Sequence, residues 1–198
     1  MSSIKFAIFT DTHLGYKYDD PKIGNDSFTV FDECLSTAVN EHCDAILHAG
    51  DMFNDGTLKQ SVIVRIQDIL WTYLVRDPNP DLEAIQYPNI ENSGLTKRKI
   101  TTLDDDEVQI KIPFFVINGN HDQPSGLDRQ SNCDVLASSR LVNYFDKYED
   151  LQDITLKPVI MQRDNVIVAI GQTIDLEGFE SLSSGGRLIA LSEKESGK

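Results

Sequence analysis

Apolar residues in this chain gather into short runs, and three of those runs stop at clusters of polar side chains. IKFAIF at residues 4–9 ends in Thr10, Asp11, Thr12 and His13. DAILHAG at 44–50 ends in Asp51, and IPFFVI at 112–117 ends in Asn118, Gly119, Asn120, His121 and Asp122. Runs this short and this rich in Ile, Phe and Val read as strands buried on both faces. Where such strands lie side by side, ligands bind at their carboxyl ends. The three polar clusters are therefore expected on one rim.

The segments between the runs complete an α/β pattern. Residues 14–26 form a polar loop with two Gly and a Pro, after which Asp26 or Ser27 is placed to cap a helix over 28–42. Phe28, Phe31, Leu35, Ala38 and Val39 recur at helical spacing and mark the face that packs on the sheet. With the second strand at 45–49, the strand–helix–strand segment has the length of a βαβ unit, so its strands are expected to be parallel. A second helix over 58–75 carries one stripe of Leu58, Val62, Ile66, Ile69 and Tyr73. Ile63, Leu70 and Leu74 lie beside that stripe, and Val64, Trp71 and Val75 fall on yet another side. A helix apolar over so much of its circumference is covered from more than one direction, by the same fold or by a second copy of the chain.

The pattern dissolves over residues 76–106, which hold three prolines, the basic trio Lys97-Arg98-Lys99 and the start of the acidic run 104–107. A loop of this length inside a domain is functional or disordered, and the basic trio reads as solvated. Beyond it, EVQIKI at 107–112 reads as a strand broken by Pro113 and resumed over 114–117. Residues 123–141 read as a loop and a helix, and LVNYF at 141–145 as a short strand. The runs at 154–162 and 166–172 give a hairpin signal. The stretch 181–198 shows no clear domain ending.

Composition narrows the possibilities. The 198 residues are 40% hydrophobic and 25% charged, enough for one sizeable core. With 32 acidic against 18 basic residues the net charge is −14, which argues against holding nucleic acid on a broad basic surface. Bound dications would still bring positive charge to the place where a phosphate must sit. There is no secretory h-region and no run of membrane-spanning length. The three cysteines, Cys34, Cys43 and Cys133, form no paired motif and read as reduced thiols of a cytosolic or nuclear protein.

The donors gathered on the rim are carboxylates, imidazoles and an amide, a set for hard or borderline dications. Two ions ~3.5–4 Å apart can bind the attacking and the leaving oxygen of a phosphoester. Asp11 and His13, two apart in extended backbone, point the same way and would serve one ion. Asp51, from the middle cluster, is the natural bridge, and Asn120 offers an amide oxygen to a second ion. His121 suits a general acid or a group that stabilises phosphate charge. Asp122 is expected to orient that imidazole by accepting its second N–H. His42 reads as a surface residue and His48, inside the second strand, as a core or rim residue.

DTHLGY, GDMF and GNHD resemble the first three motifs of the calcineurin-like metallophosphoesterases. DTHLGY, GNDSF at the start of the first helix and GNHDQPSG are similar to the double-strand-break repair nucleases of the meiotic recombination eleven and SbcD type, over about residues 4–180. The resemblance implies a four-layer α-β-β-α sandwich with mixed sheets. It also implies a manganese-dependent DNA exonuclease and endonuclease with two ions. Asp11 and His13 would bind one ion, Asp51 both and Asn120 the other, with His121 acting on the leaving group. It further implies nuclear localisation and a homodimer through helices near 58–75 and 125–139. An SMC-like coiled-coil ATPase of the Rad-fifty type is the implied partner, and the eukaryotic loop, here about 76–107, is implicated in contact with a nibrin-type protein. No membrane partner is implied.

Two departures stand out. Where family members usually have a His after GDLF, this chain has Asn54, whose amide can hydrogen-bond phosphate but carries no proton. The later histidines that complete the family's metal site are missing as well: the four histidines are His13, His42, His48 and His121. The chain is therefore expected to be the N-terminal part of the phosphoesterase domain, incomplete at its C-terminus and inactive alone. A metallo-phosphomonoesterase or nucleotidase, and a non-catalytic fragment for dimerisation and partner binding, are the competing readings.

Overall fold

The apolar runs build the interior of a parallel sheet, and its helices and a second sheet follow from which faces those runs leave uncovered. The computed structural model describes residues 3–75, 110–122, 130–145, 159–173 and 187–192. In chain order these hold β1 (Phe6–Phe9), α1 (Asp26–Asn40), β2 (Ala45–His48), α2 (Gln60–Leu74), β3 (Phe114–Val116), α3 (Asn132–Ser138) and β4 (Asn143–Tyr144). The antiparallel strands β5 (Val159–Arg163), β6 (Val166–Thr173) and β7 (Arg187–Ser192) come after them. The first sheet runs β1-β2-β3-β4 with every neighbouring pair parallel, Phe6 opposite Ala45 and Ile46 opposite Phe114. The second runs β5-β6-β7.

Alternation along β2 and β3 sends side chains to two cores. Ile46, Phe114 and Val116 pack with Phe28, Phe31 and Leu35 of α1, Val62, Ile66 and Leu70 of α2, and Cys133 and Leu136 of α3. Ala45, Leu47 and Phe115 face the other way and pack with Val168 and Ile170 of β6. The described residues thus supply an α, a β and a second β layer. Arg163 ties the hairpin to the parallel sheet, its guanidinium forking onto both carboxylate oxygens of Asp44 and donating to the Ser3 carbonyl at 3.0 Å.

Several expectations need correction. β1 is not buried on both faces: it lies at the end of the strand order, and Ile8 is 64% exposed. α1 starts at Asp26, with Asn25 at the cap position and no side-chain cap bond; Ser27 instead accepts the Gly15 N–H at 3.3 Å. The same helix stops at Asn40, because His42 adopts φ 53° while the Cys43 N–H returns to the Ala38 carbonyl at 3.0 Å and the His42 N–H to Val39. That is a left-handed helix stop with His in the place usually taken by Gly. Residues 110–113 are not strand: Ile110 makes an isolated antiparallel bridge with Val75, and Pro113 can donate nothing to a ladder. β7 lies in a stretch from which no strand was expected. The third helix begins only at Asn132, fixed by a reciprocal capping box between Ser131 and Asp134. The basic trio, the acidic run and the loop at 76–107 lie outside the described residues.

α2 is covered in part by its own fold. Val62, Ile66, Leu70 and Leu74 are buried, and Val75, past the last turn, is buried too. Val64 and Trp71, seven residues apart and so on one side of the helix, are 40% and 42% exposed. Cys34, Cys43 and Cys133 are free thiols, as expected. No helix among the described residues is long and apolar enough to cross a membrane.

Phe31 is fully buried between Phe9 and Phe114, with edge-on ring contacts at 6.3 and 6.4 Å. Phe31→Ala is expected to cost ~3–5 kcal/mol of folding stability, measured as a lowered midpoint in urea without a change in slope.

Candidate metal centre

Past the ends of β1 and β2 the two chains stay side by side. The Asp11 N–H donates to the Gly50 carbonyl, the His13 N–H to Asp51 and the Leu14 N–H to Met52, at 3.1, 3.1 and 2.8 Å. This extension carries Asp11 and His13 alongside Asp51. One ligand atom from each of the three lies within 4.8 Å of the others, and His13 Nε2 stands 3.8 Å from Asp11 Oδ1. All three residues have positive φ: 56° at Asp11, 42° at His13 and 52° at Asp51. Such backbone costs of order 1–3 kcal/mol per residue and collects where function needs a fixed geometry.

The third loop closes against the second. The His121 N–H donates to Asp51 Oδ1 at 2.9 Å, and the His121 ring meets the His13 ring edge-on at 4.9 Å. Two glycines let the backbones approach this closely. A Cβ on Gly119 would lie 2.2 Å from Asp51 Oδ1, and Gly50, at φ 106°, would bring one to 2.9 Å from the Gly119 nitrogen. Asn120 is exposed in this turn, between Gly119 and His121.

Asp122 does not orient the His121 imidazole. It is 1% exposed and accepts three backbone N–H groups, from Met52 (2.9 Å) and Gly119 (3.0 Å) on Oδ2 and from Phe53 (2.8 Å) on Oδ1. Its carboxylate therefore joins the Asp51 turn to the Asn120 turn. Burial raises its pKa above the ordinary carboxylate range, with the three N–H bonds pulling the other way. The imidazole is held instead by the backbone of Asn54, whose carbonyl lies 2.7 Å from His121 Nδ1. The Asn54 side-chain amide donates to Asp55 Oδ2 at 2.7 Å.

The donor set fits a dication. Two carboxylates and an imidazole converge, and His13 Nδ1 is buried with no hydrogen-bond partner among the described residues. A separate hollow, to which none of the cluster's three residues contributes, is lined by Gly15, Tyr18, Asp55, Leu58 and Lys59. The Lys59 ammonium there is held by both oxygens of Asp19, at 2.5 and 2.6 Å.

The sequence matches the calcineurin-like phosphoesterase family over residues 4–188. The chain belongs to that family. It is also similar to the double-strand break repair protein MRE11 of Mus musculus, 32% identical over 168 residues that make up 85% of this chain and 24% of that protein. The MRE11 of Encephalitozoon cuniculi is likewise 32% identical over 168 residues, covering 85% of this chain and 27% of its own length. The Arabidopsis thaliana MRE11 is 30% identical over 174 residues, again 85% of this chain and 24% of that protein. The chain thus spans about a quarter of the length of these relatives.

In this member of the phosphoesterase family His48 is a core residue, within the core-or-rim expectation, and both of its ring nitrogens are engaged with the loops that bear the candidate ligands. Nε2 lies 2.9 Å from Thr12 Oγ1, and Nδ1 accepts the Gly50 N–H at 3.3 Å. Neither Thr12 nor the two glycines were singled out from the sequence. A Gly directly before each of Asp51 and Asn120 was the available signal.

Burial lowers the His48 pKa from 6.5 to about 3, with Asp11 opposing the shift and His13 adding to it. A depressed folded-state value means that the unfolded chain takes up a proton the folded chain refuses. The stability contributed by neutral His48 is thus present above pH 6.5 and is lost as pH falls toward 3. Between pH 7 and pH 5 the wild type is expected to lose about 2 kcal/mol more than His48→Phe, measured by urea unfolding in chelator at the two pH values.

Proposed function

We propose that this chain carries part of the phosphodiesterase centre of a manganese-dependent DNA nuclease, exonucleolytic and endonucleolytic, that acts in double-strand break repair. The observation that carries the reading is the meeting of Asp11, His13 and Asp51 ligand atoms within 4.8 Å, with the His121 ring against His13. Asp11 and His13 would hold one ion, Asp51 would bridge, and Asn120 would give its amide oxygen to the second. A bound pair supplies positive charge for both the attacking and the leaving oxygen of the phosphodiester. His121, with Nδ1 at the Asn54 carbonyl, must donate there and so has Nε2 for the proton of the leaving oxygen. The Asn54 side chain, once turned from Asp55, can donate to a phosphate oxygen.

We read residues 1–198 as the N-terminal part of the nuclease domain, with an inserted loop at about 76–107. Exposed Val64 and Trp71 on α2 and Val135 on α3, 39% exposed, support a homodimer through these helices. With the nuclease type goes the further proposal of nuclear localisation, an SMC-like coiled-coil ATPase partner of the Rad-fifty type, and a nibrin-type partner at the 76–107 loop.

Four protein ligands shared between two ions make a weak site. The 198-residue polypeptide by itself is expected to show no manganese-dependent degradation of linear DNA. The centre is expected to cleave DNA in the full-length protein and to lose at least ~10²-fold in rate on His121→Asn. Cleavage of a small aryl phosphate but not DNA by the full-length protein would favour the monoesterase instead. For the dimer, light scattering at ~100 µM is expected to give twice the chain mass and to revert to a monomer in Trp71→Glu.

A further inference from the structure

The loops that bear the candidate ligands are strained, and the side chains that hold them in that state are not ligands themselves. Thr12 sits between Asp11 and His13, both at positive φ. Its hydroxyl donates to the Met52 carbonyl at 3.1 Å and accepts from His48 Nε2 at 2.9 Å. The direction of these bonds is fixed by His48 Nδ1, which accepts the Gly50 N–H and so leaves the ring proton on Nε2. His48 is the last residue of β2, fully buried, with Phe9 edge-on at 5.4 Å and Phe114 stacked at 6.2 Å. Its ring therefore has no freedom to follow the loops, and the loops are referenced to the ring. Gly50 precedes Asp51, so one imidazole grips the backbone next to the bridging carboxylate and the side chain between the other two candidate ligands.

We propose that His48 and Thr12 are positioning residues for the metal centre, a buried imidazole–hydroxyl link that sets the Asp11–His13 turn and the Gly50–Asp51 turn at ligand distance from one another. This rests on the metal-centre reading above. A purely structural histidine would need partners only to satisfy its nitrogens, and any two core acceptors or donors would do. Here both partners lie within one residue of a candidate ligand, and Thr12 continues the link to Met52, directly after Asp51.

The test uses the full-length protein stripped of metal, titrated calorimetrically with Mn²⁺, with the melting temperature of each metal-free protein measured in chelator. Thr12→Val removes the hydroxyl and keeps the shape, Thr12→Ser restores the hydroxyl, and His48→Phe keeps an aromatic ring in the Phe9–Phe114 pocket without its nitrogens. Thr12→Val and His48→Phe are expected to bind Mn²⁺ at least tenfold more weakly than wild type, with metal-free melting little changed. Thr12→Ser is expected to stay within about threefold of wild type. Should His48→Phe not fold, the Thr12 pair decides. Wild-type affinity in Thr12→Val, equal weakening in Thr12→Ser, or loss of affinity only in step with a lowered metal-free melting temperature overturns the proposal. No Mn²⁺ uptake by the wild type overturns the metal-centre reading, and this inference with it, and is told apart from the other outcomes by that control.

Discussion

Bringing Asp11 and Asp51 to within 4.8 Å of each other is the constraint around which this half of the fold is arranged. Two carboxylates at that separation repel by roughly 1 kcal/mol where water screens them and roughly 3–4 kcal/mol at an effective dielectric of about 20. The backbone beneath them adds strain at three positive-φ residues. In the metal-free chain both terms must be outweighed without a cation. The parallel ladder continued past β1 and β2, the His121 N–H on Asp51, and the three N–H groups on Asp122 do so. Hydrogen bonds to a charged acceptor are worth about 1.5–3 kcal/mol each, and burial of the Asp122 carboxylate offsets part of that gain, so the three kinds of contact act together.

That arrangement explains why the site sits where it does. In a parallel sheet successive strands end on the same rim, and the β1-β2-β3 order puts the three loops next to one another. α1, α2 and α3 cover one face and the β5-β6 hairpin the other, leaving the rim as the open edge. The net charge of −14 makes that rim hostile to a polyanion until dications change its sign. In the proposed centre, charge would couple the approach of a phosphoester to the binding of metal.

The strand ends and the helix faces were legible because hydrophobic period reports burial directly: Phe28, Phe31, Leu35 and Ala38 are buried as their spacing implied. Edge position was not legible. Ile8 reads like Leu47 in sequence, and only the strand order makes one exposed and the other buried. Asp122 was misread for a related reason. Adjacency to His121 suggested a partner for that ring, whereas the carboxylate turned inward to N–H groups 69 and 70 residues away. His48 was legible as core but not as a link, since burial says nothing of what two ring nitrogens touch. Asn120 keeps the place in the turn that the motif gave it, and its role belongs to the proposed centre.

The replacement of the family's usual histidine by Asn54 looks at first like the loss of a functional group. The contact that residue 54 makes to the site is through its carbonyl, however, and a carbonyl is common to every residue type. Its position is fixed by the Asn54 N–H on the Leu14 carbonyl at 3.1 Å and by the Leu14–Phe53 bridge, both backbone features. The carbonyl in turn requires a proton on His121 Nδ1, which selects the tautomer regardless of the side chain at 54. What the substitution changes is therefore confined to the side chain, whose amide donates to Asp55 Oδ2 and cannot titrate. The tautomer of His121, and with it the capacity of Nε2 to exchange a proton, follows from how two loops pair and not from the identity of the residue between them.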